Sequence, residues 1–92
     1  HDALPISMIL AKVVGHVVAT QKCDELRGSN LLLIVKLDDD QQPMKDQTWV
    51  AVDSVGAGMH DIVLAEEYLA LNKERYKAMS VVAIVENVFR DA

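Results

Sequence analysis

Apolar and polar residues alternate along most of the chain, in runs that are separated by polar or glycine-containing segments. Such alternation is typical of β-strands with one buried face. The runs predict five strands, at residues 9–20, 29–37, 48–55, 62–65 and 80–89. A charged stretch at residues 66–78 predicts a short helix, because Glu66 and Glu67 at its start and basic residues at its end suit the helix dipole. Together these elements predict a mainly β fold, a small five-stranded OB-like barrel with one short helix.

Glycine and polar residues interrupt this pattern at three places. Gly15 lies in the middle of the first predicted strand, where glycine usually marks a bend, a β-bulge or a close approach of two backbones. Residues 38–43 (Asp-Asp-Asp-Gln-Gln-Pro) predict an exposed hairpin loop. Residues 56–58 (Gly-Ala-Gly) predict a tight turn, in which we expect a positive φ at Gly56 or Gly58.

The second and fifth predicted strands are apolar on both faces, although a strand of a small barrel needs only one apolar face. The second apolar faces would carry Leu32 and Ile34 in one strand and Val82 and Ile84 in the other. A single barrel would expose them as contiguous apolar patches, which soluble monomers rarely do. We therefore expect these four residues to pack against neighbouring subunits.

Composition narrows the classes of function. The net charge of −5 and the pI of about 4.9 argue against a duplex-binding protein, which normally presents a basic face to the phosphates. One cysteine, Cys23, cannot form an internal disulfide, which favours a reducing cytoplasm. No apolar run approaches the roughly 20 residues that cross a bilayer. Residues 1–7 do not continue the strand pattern, so we expect a vector-derived or disordered N-terminal segment there and a single domain over residues 8–92.

Candidate catalytic and metal-binding residues are few. Ser54, His60 and Asp61 have the residue types of a nucleophile, a base and an orienting carboxylate, but their spacing does not enforce contacts of about 3 Å. A metal site would have to draw on scattered residues, Cys23, Asp24, His16 and His60. These lack the paired-ligand spacing of zinc sites. We therefore expect no catalytic residue, no metal site and no cofactor.

Three further ligand classes are disfavoured on spacing or composition. Residues 56–58 are not followed by the third glycine or the Lys-Ser/Thr ending of a phosphate-binding loop. The acidic residues 38–40 lack the spacing and closing glutamate of a calcium-binding hand. Single-stranded nucleic acid would require a basic groove with stacking aromatic residues, whereas aromatic residues form 4% of this acidic chain.

Several segments resemble the EutN/CcmL family, the vertex proteins of bacterial microcompartments, including carboxysomes. The matching segments are residues 8–22, Leu26 and Gly28 with residues 31–33, residues 51–58 (Ala-Val-Asp-Ser-Val-Gly-Ala-Gly) with residues 62–64, and residues 81–88. Residues 53–58 are the most specific of these. The resemblance covers nearly the whole chain from Met8 onwards. It departs from the family at residues 66–79, where members commonly have a Gly-Ser-Ser-Ala-Arg-like segment.

The resemblance implies a barrel protomer that assembles as a homopentameric ring and caps the vertices of a shell, where it meets hexameric shell proteins. It implies a location in a microcompartment shell within the bacterial cytoplasm, and no enzymatic activity, nucleic-acid partner or membrane partner. In similar proteins the glycine loop lies near a narrow central opening, so the axis candidates are Ser54, Gly56, Ala57, Gly58 and Met59. Departures from carboxysome-type sequences favour a metabolosome, such as one that houses a glycyl-radical enzyme.

Two other functions stay open at this stage. An OB-like barrel could bind single-stranded nucleic acid or a peptide, and Ser54 or Cys23 could serve a small hydrolase. The subunit number in solution separates these alternatives from the vertex protein, because only the vertex protein requires a ring.

Overall fold

The structure is a computed structural model that describes residues 8–22, 26, 28–68 and 78–89. The described residues form five strands, β1 (Met8–Val17), β2 (Asn30–Leu37), β3 (Pro43–Asp53), β4 (Ile62–Tyr68) and β5 (Ala78–Ile84). These strands close into a barrel in the order β1-β2-β3-β5-β4. Neighbouring strands are antiparallel except β3 and β5, which pair in parallel. The expected five-stranded OB-like barrel is confirmed, whereas the expectations for residues 1–7 and for Cys23 lie outside the described residues.

One cluster of small and branched apolar side chains fills the interior of the barrel. Every strand contributes alternate residues to this cluster, because successive side chains of a strand point to opposite faces of the sheet. The buried members are Ala11, Val13, Leu32, Ile34, Ala51, Ala57, Val63, Ala65, Met79 and Val81, with Ile9 and Trp49 packed against them. No helix long and apolar enough to cross a membrane occurs in the described part of the chain.

A β-bulge in β1 changes the face that its side chains occupy. The pairing with β2 shifts between Val13 and Gly15, which leaves one residue between them without a partner. Val13 lies opposite Ile34 in the core, whereas Gly15 lies opposite Leu33 on the outer face. Gly15 therefore marks a bulge, as expected. Strict alternation would have kept Gly15 and Val17 on the core face, and the bulge moves both to the outside.

The predicted helix at residues 66–78 is wrong at both of its ends. Glu66 lies within β4, where it pairs with Met8 of β1 on one side and with Ser80 of β5 on the other. Ala78 is the first residue of β5. Charges that suit a helix dipole stabilise by only about 0.3–1 kcal/mol each, which is less than two rows of strand pairing provide. The rest of the predicted helix, residues 69–77, lies outside the described residues.

The exposed loop between β2 and β3 is confirmed, but it is five residues shorter than predicted, because β3 begins at Pro43 and not at residue 48. Asp38 closes the loop in two ways. Its backbone N–H donates to the carbonyl of Gln42 at 2.9 Å, and its Oδ1 accepts the backbone N–H groups of Asp40 and Gln42 at 2.8 and 2.9 Å. The acidic residues therefore organise a turn that reverses the chain direction.

Candidate functional site

Asp53, the last residue of β3, organises the glycine loop that follows it. Its Oδ1 accepts hydrogen bonds from three consecutive backbone N–H groups, those of Val55, Gly56 and Ala57, at 3.1, 3.0 and 3.2 Å. Gly56 adopts a φ of +81°, a left-handed conformation that glycine reaches without the clash of a Cβ atom. The expected positive φ in this loop is thus confirmed, at Gly56.

A second carboxylate completes the loop and attaches it to β1. The backbone N–H of Gly58 donates to Asp61 Oδ2 at 2.8 Å. The Val13 N–H donates to the carbonyl of Asp61, and the His60 N–H donates to the carbonyl of Val13, both at 2.9 Å. His60 has a φ of 71°, which is unusual for a residue with a side chain. The loop is therefore held from both ends, directly beside the β1 bulge.

The five residues predicted to lie near the axis differ in how far they are exposed to solvent. The Ala57 methyl group belongs to the core and Ala57 is 7% exposed, so it offers little surface to an opening. Met59 is 44% exposed, and Ser54 and Gly56 are also exposed. Gly58 is partly buried. Four of the five candidates therefore have surface that a neighbouring subunit or an opening could use.

The structure does not assemble a catalytic constellation from Ser54, His60 and Asp61. Ser54 Oγ lies 3.2 Å from Ser80 Oγ, and the Asp61 carboxylate accepts the Gly58 amide instead of orienting an imidazole. Within residues 8–22, 26, 28–68 and 78–89, no group of three or more His, Cys, Asp or Glu side chains could hold a metal ion. Cys23 and Asp24 lie outside that range.

Two of the four predicted interface residues are in the core. Leu32 is 1% exposed and Ile34 is 0% exposed in the single chain, so neither has surface for a second subunit and this prediction is wrong for both. Val82 is partly buried and Ile84 is 47% exposed, so both keep accessible surface. The pattern of β2 could not show which of its two apolar faces points inwards, because period-two alternation is the same for both.

Comparison with known proteins identifies the family. The model of the family described as ethanolamine utilisation protein EutN/carboxysome matches residues 8–86. The chain belongs to the EutN/CcmL family. This confirms the resemblance seen in residues 8–88. The fold agrees with EutN/CcmL membership, because solved structures of the family resemble this chain with TM-scores from 0.73 to 0.77.

Three relatives illustrate the similarity. The carboxysome shell vertex protein CcmL of Synechocystis is 47% identical over 68 residues, which are 74% of this chain and 67% of the relative. The bacterial microcompartment shell vertex protein PduN of Salmonella typhimurium is 47% identical over 60 residues, which cover 62% of this chain and 66% of the relative. The solved structure of the GrpN pentameric microcompartment shell protein of Rhodospirillum rubrum has a TM-score of 0.77, at 34% identity over 91% of this chain and 99% of that chain. All three are shell proteins, so the chain is related to structural proteins of microcompartment vertices.

Proposed function

We propose that this chain forms a homopentamer that closes the vertices of a bacterial microcompartment shell. The observation that carries the proposal is the likeness to a pentameric shell protein over 99% of that protein's length, so nearly the whole of that protomer has a counterpart here. Flat hexagonal sheets cannot close into a shell without five-fold points, so a pentamer beside hexameric shell proteins supplies the missing geometry. We accordingly place the chain in the shell, inside the bacterial cell.

The surface of the barrel supports assembly. Contiguous apolar patches on a protein surface commonly mark an interaction site, whereas single exposed apolar residues are normal. Here the described residues with exposed large apolar side chains are Met8, Val14, Val18, Val50, Val55, Met59, Ile84, Val88 and Phe89. Burial of part of this set between subunits would remove apolar surface from water. Val82 and Ile84 remain proposed interface residues.

We further propose that the glycine loop lies at or beside the five-fold axis. The support is its construction: the carboxylates of Asp53 and Asp61 hold four consecutive backbone N–H groups, so the loop has a defined shape without help from a neighbour. Gly56 and Gly58 carry only a hydrogen atom in place of a side chain, which would reduce steric crowding where five copies of the loop meet. Closure of the vertex is the proposed role of this loop.

A metabolosome is the proposed compartment. The support is that the sequence departs from carboxysome-type members of the family. The named relatives include vertex proteins of carboxysomes and of other microcompartments, so the choice needs its own test. Fluorescently tagged chain expressed in cells that build one type of shell or the other is expected to concentrate in metabolosome shells. Equal or preferred recruitment to carboxysomes would contradict this choice.

Native mass spectrometry tests the pentamer, and coexpression tests the vertex role. The purified chain is expected to appear at five times the protomer mass, whereas a monomer at micromolar concentration would contradict the proposal. Hexameric shell proteins coexpressed with the chain are expected to form closed shells in electron micrographs. Without it, they are expected to form open sheets, tubes or gapped shells. Closed shells in equal number without the chain would refute the vertex role.

A further inference from the structure

A closed ring of more than two subunits needs two different contact surfaces on each subunit, one for each neighbour. We infer that the sheet surface, defined as the outer face around Gly15, Leu33 and Val50, is one of them, and that the tail surface, defined as residues 84–89, is the other. The tail surface of each subunit packs against the sheet surface of the next copy of the chain. This inference rests on the proposed homopentamer and names the surfaces that build it.

The sheet surface is an apolar strip that crosses three strands. Leu33 faces outwards because its neighbours Leu32 and Ile34 are both in the core. Val50 lies opposite Leu33 and is 46% exposed. Gly15 lies opposite Leu33 on the other side, and a Cβ atom there would be 3.5 Å from the Leu33 Cβ. Glycine adds no side chain beside Leu33, which leaves the strip open to a side chain from a neighbouring subunit.

The rows beside this strip extend its apolar character in one direction. The adjacent row consists of Val17, Leu31 and Val52, which pair across the same three strands. Leu31 is 8% exposed, so the accessible surface of this row comes from Val17 and Val52, which are partly buried. The row on the other side contains Lys12, Val35 and Thr48, and so marks a polar margin. An apolar centre with a polar rim is the usual composition of a protein–protein interface.

The tail surface begins where β5 leaves the barrel. The N–H of Val85 donates to the carbonyl of Ile62, the first residue of β4, at 2.7 Å. This hydrogen bond fixes the direction in which the chain continues after β5. Beyond this point the exposed side chains include two large apolar ones, Val88 at 37% and Phe89 at 90% exposure, while Ile84 before it is 47% exposed. A phenylalanine this exposed is unusual, and aromatic side chains are enriched in the centres of interfaces.

The register of the strands separates these two surfaces within one chain. Val50 precedes Ala51, which pairs with Met79 in the parallel ladder, whereas Ile84 lies five residues further along β5. The sheet surface is centred on β2, whose neighbours are β1 and β3. The tail surface continues β5, whose neighbours are β3 and β4. In a closed five-stranded barrel, β2 and β5 are therefore separated by β3 on one side and by β1 and β4 on the other. Because the proposed ring needs two different surfaces on each subunit, a second copy of the chain is the occupant that supplies both.

Charged substitutions test each surface separately. Val50→Asp and Phe89→Asp are each expected to convert the pentamer into monomers in native mass spectra, because each would bury an unpaired carboxylate in the contact. Both side chains are exposed in the single chain, so far-ultraviolet circular dichroism is expected to stay that of the folded barrel. The control Met8→Asp, at an exposed apolar position outside both surfaces, is expected to keep the pentamer. A pentamer that persists in either variant, or is lost in the control, overturns the inference.

A cysteine pair tests whether the two surfaces meet each other. In a Cys23→Ser background, the double variant Val50→Cys/Phe89→Cys is expected to give covalent multimers up to five subunits on oxidation. Each single-cysteine variant is expected to stay uncrosslinked. Crosslinked dimers of a single variant would indicate a contact between identical surfaces and overturn the inference, as would an oxidised double variant without multimers. A parent chain that is not a pentamer would refute the proposed function, whereas a pentameric parent with these negative results would refute only the assignment of surfaces.

Discussion

Substitution of Asp53 by alanine is expected to destabilise the barrel through the glycine loop. The change removes the acceptor of three backbone N–H groups. Two of these hydrogen bonds, to Val55 and Gly56, are exposed, so water can replace the carboxylate at little cost. The third donor belongs to Ala57, which is buried, and leaving a buried N–H group without a partner costs about 1–3 kcal/mol. We expect a total loss of about 2–3 kcal/mol.

For a domain of this size, a loss of about 2–3 kcal/mol corresponds to a fall in Tm of roughly 10–20 °C. Urea unfolding followed by the fluorescence of Trp49 measures the loss. A series of protein concentrations, the same for parent and variant, separates destabilisation of the barrel from weaker assembly. The control Asp53→Asn keeps an Oδ1 acceptor without the charge and is expected to lose about half as much. An alanine variant within about 0.5 kcal/mol of the parent would refute this account of the loop.

Six further substitutions, at four positions, test other parts of the structure. Ile84→Asp is expected to yield monomers or aggregates in light scattering, because the carboxylate would enter the proposed contact, and an intact ring with unchanged Tm would exclude Ile84 from it. Gly56→Ala, at a φ of +81°, is expected to cost about 1–2 kcal/mol, whereas Gly58→Ala, where a Cβ atom would lie 3.8 Å from Asp61 Oδ2, is expected to be neutral or slightly stabilising in thermal unfolding. Equal losses at the two glycines would contradict the backbone argument. Gly56→Val and Gly58→Val are expected to weaken the ring, and two valine variants with normal rings would count against the axial loop. His60→Gly is expected to raise stability by up to about 1 kcal/mol, because it relieves a φ of 71°, and a loss of stability would show that the His60 side chain makes a compensating contact.

Local pattern was sufficient to predict the number of strands and the class of fold. Alternation in β3 is regular because one face of the strand lies against the core, as Trp49 and Ala51 show. The special role of the glycine loop was also visible, since a positive φ selects glycine at Gly56 whatever the rest of the fold does. The participation of Asp53 was not predicted, although a carboxylate shortly before a glycine turn is a signal for such a cap.

Other features depended on which segments meet in three dimensions. Glu66 carries the local preference of a helix start, but β1 and β5 pair with it on both sides and hold it in a strand. The inward face of β2 was not readable from its own residues, because both faces are apolar. Only the pairing of Ile34 with Val13 and with Trp49 across the sheet decided that Leu32 and Ile34 point into the barrel. The sequence alone thus determined the number of strands and their approximate positions. Closure of the barrel decided their bounds and which apolar face of β2 lies in the central core, because these depend on pairing between distant segments.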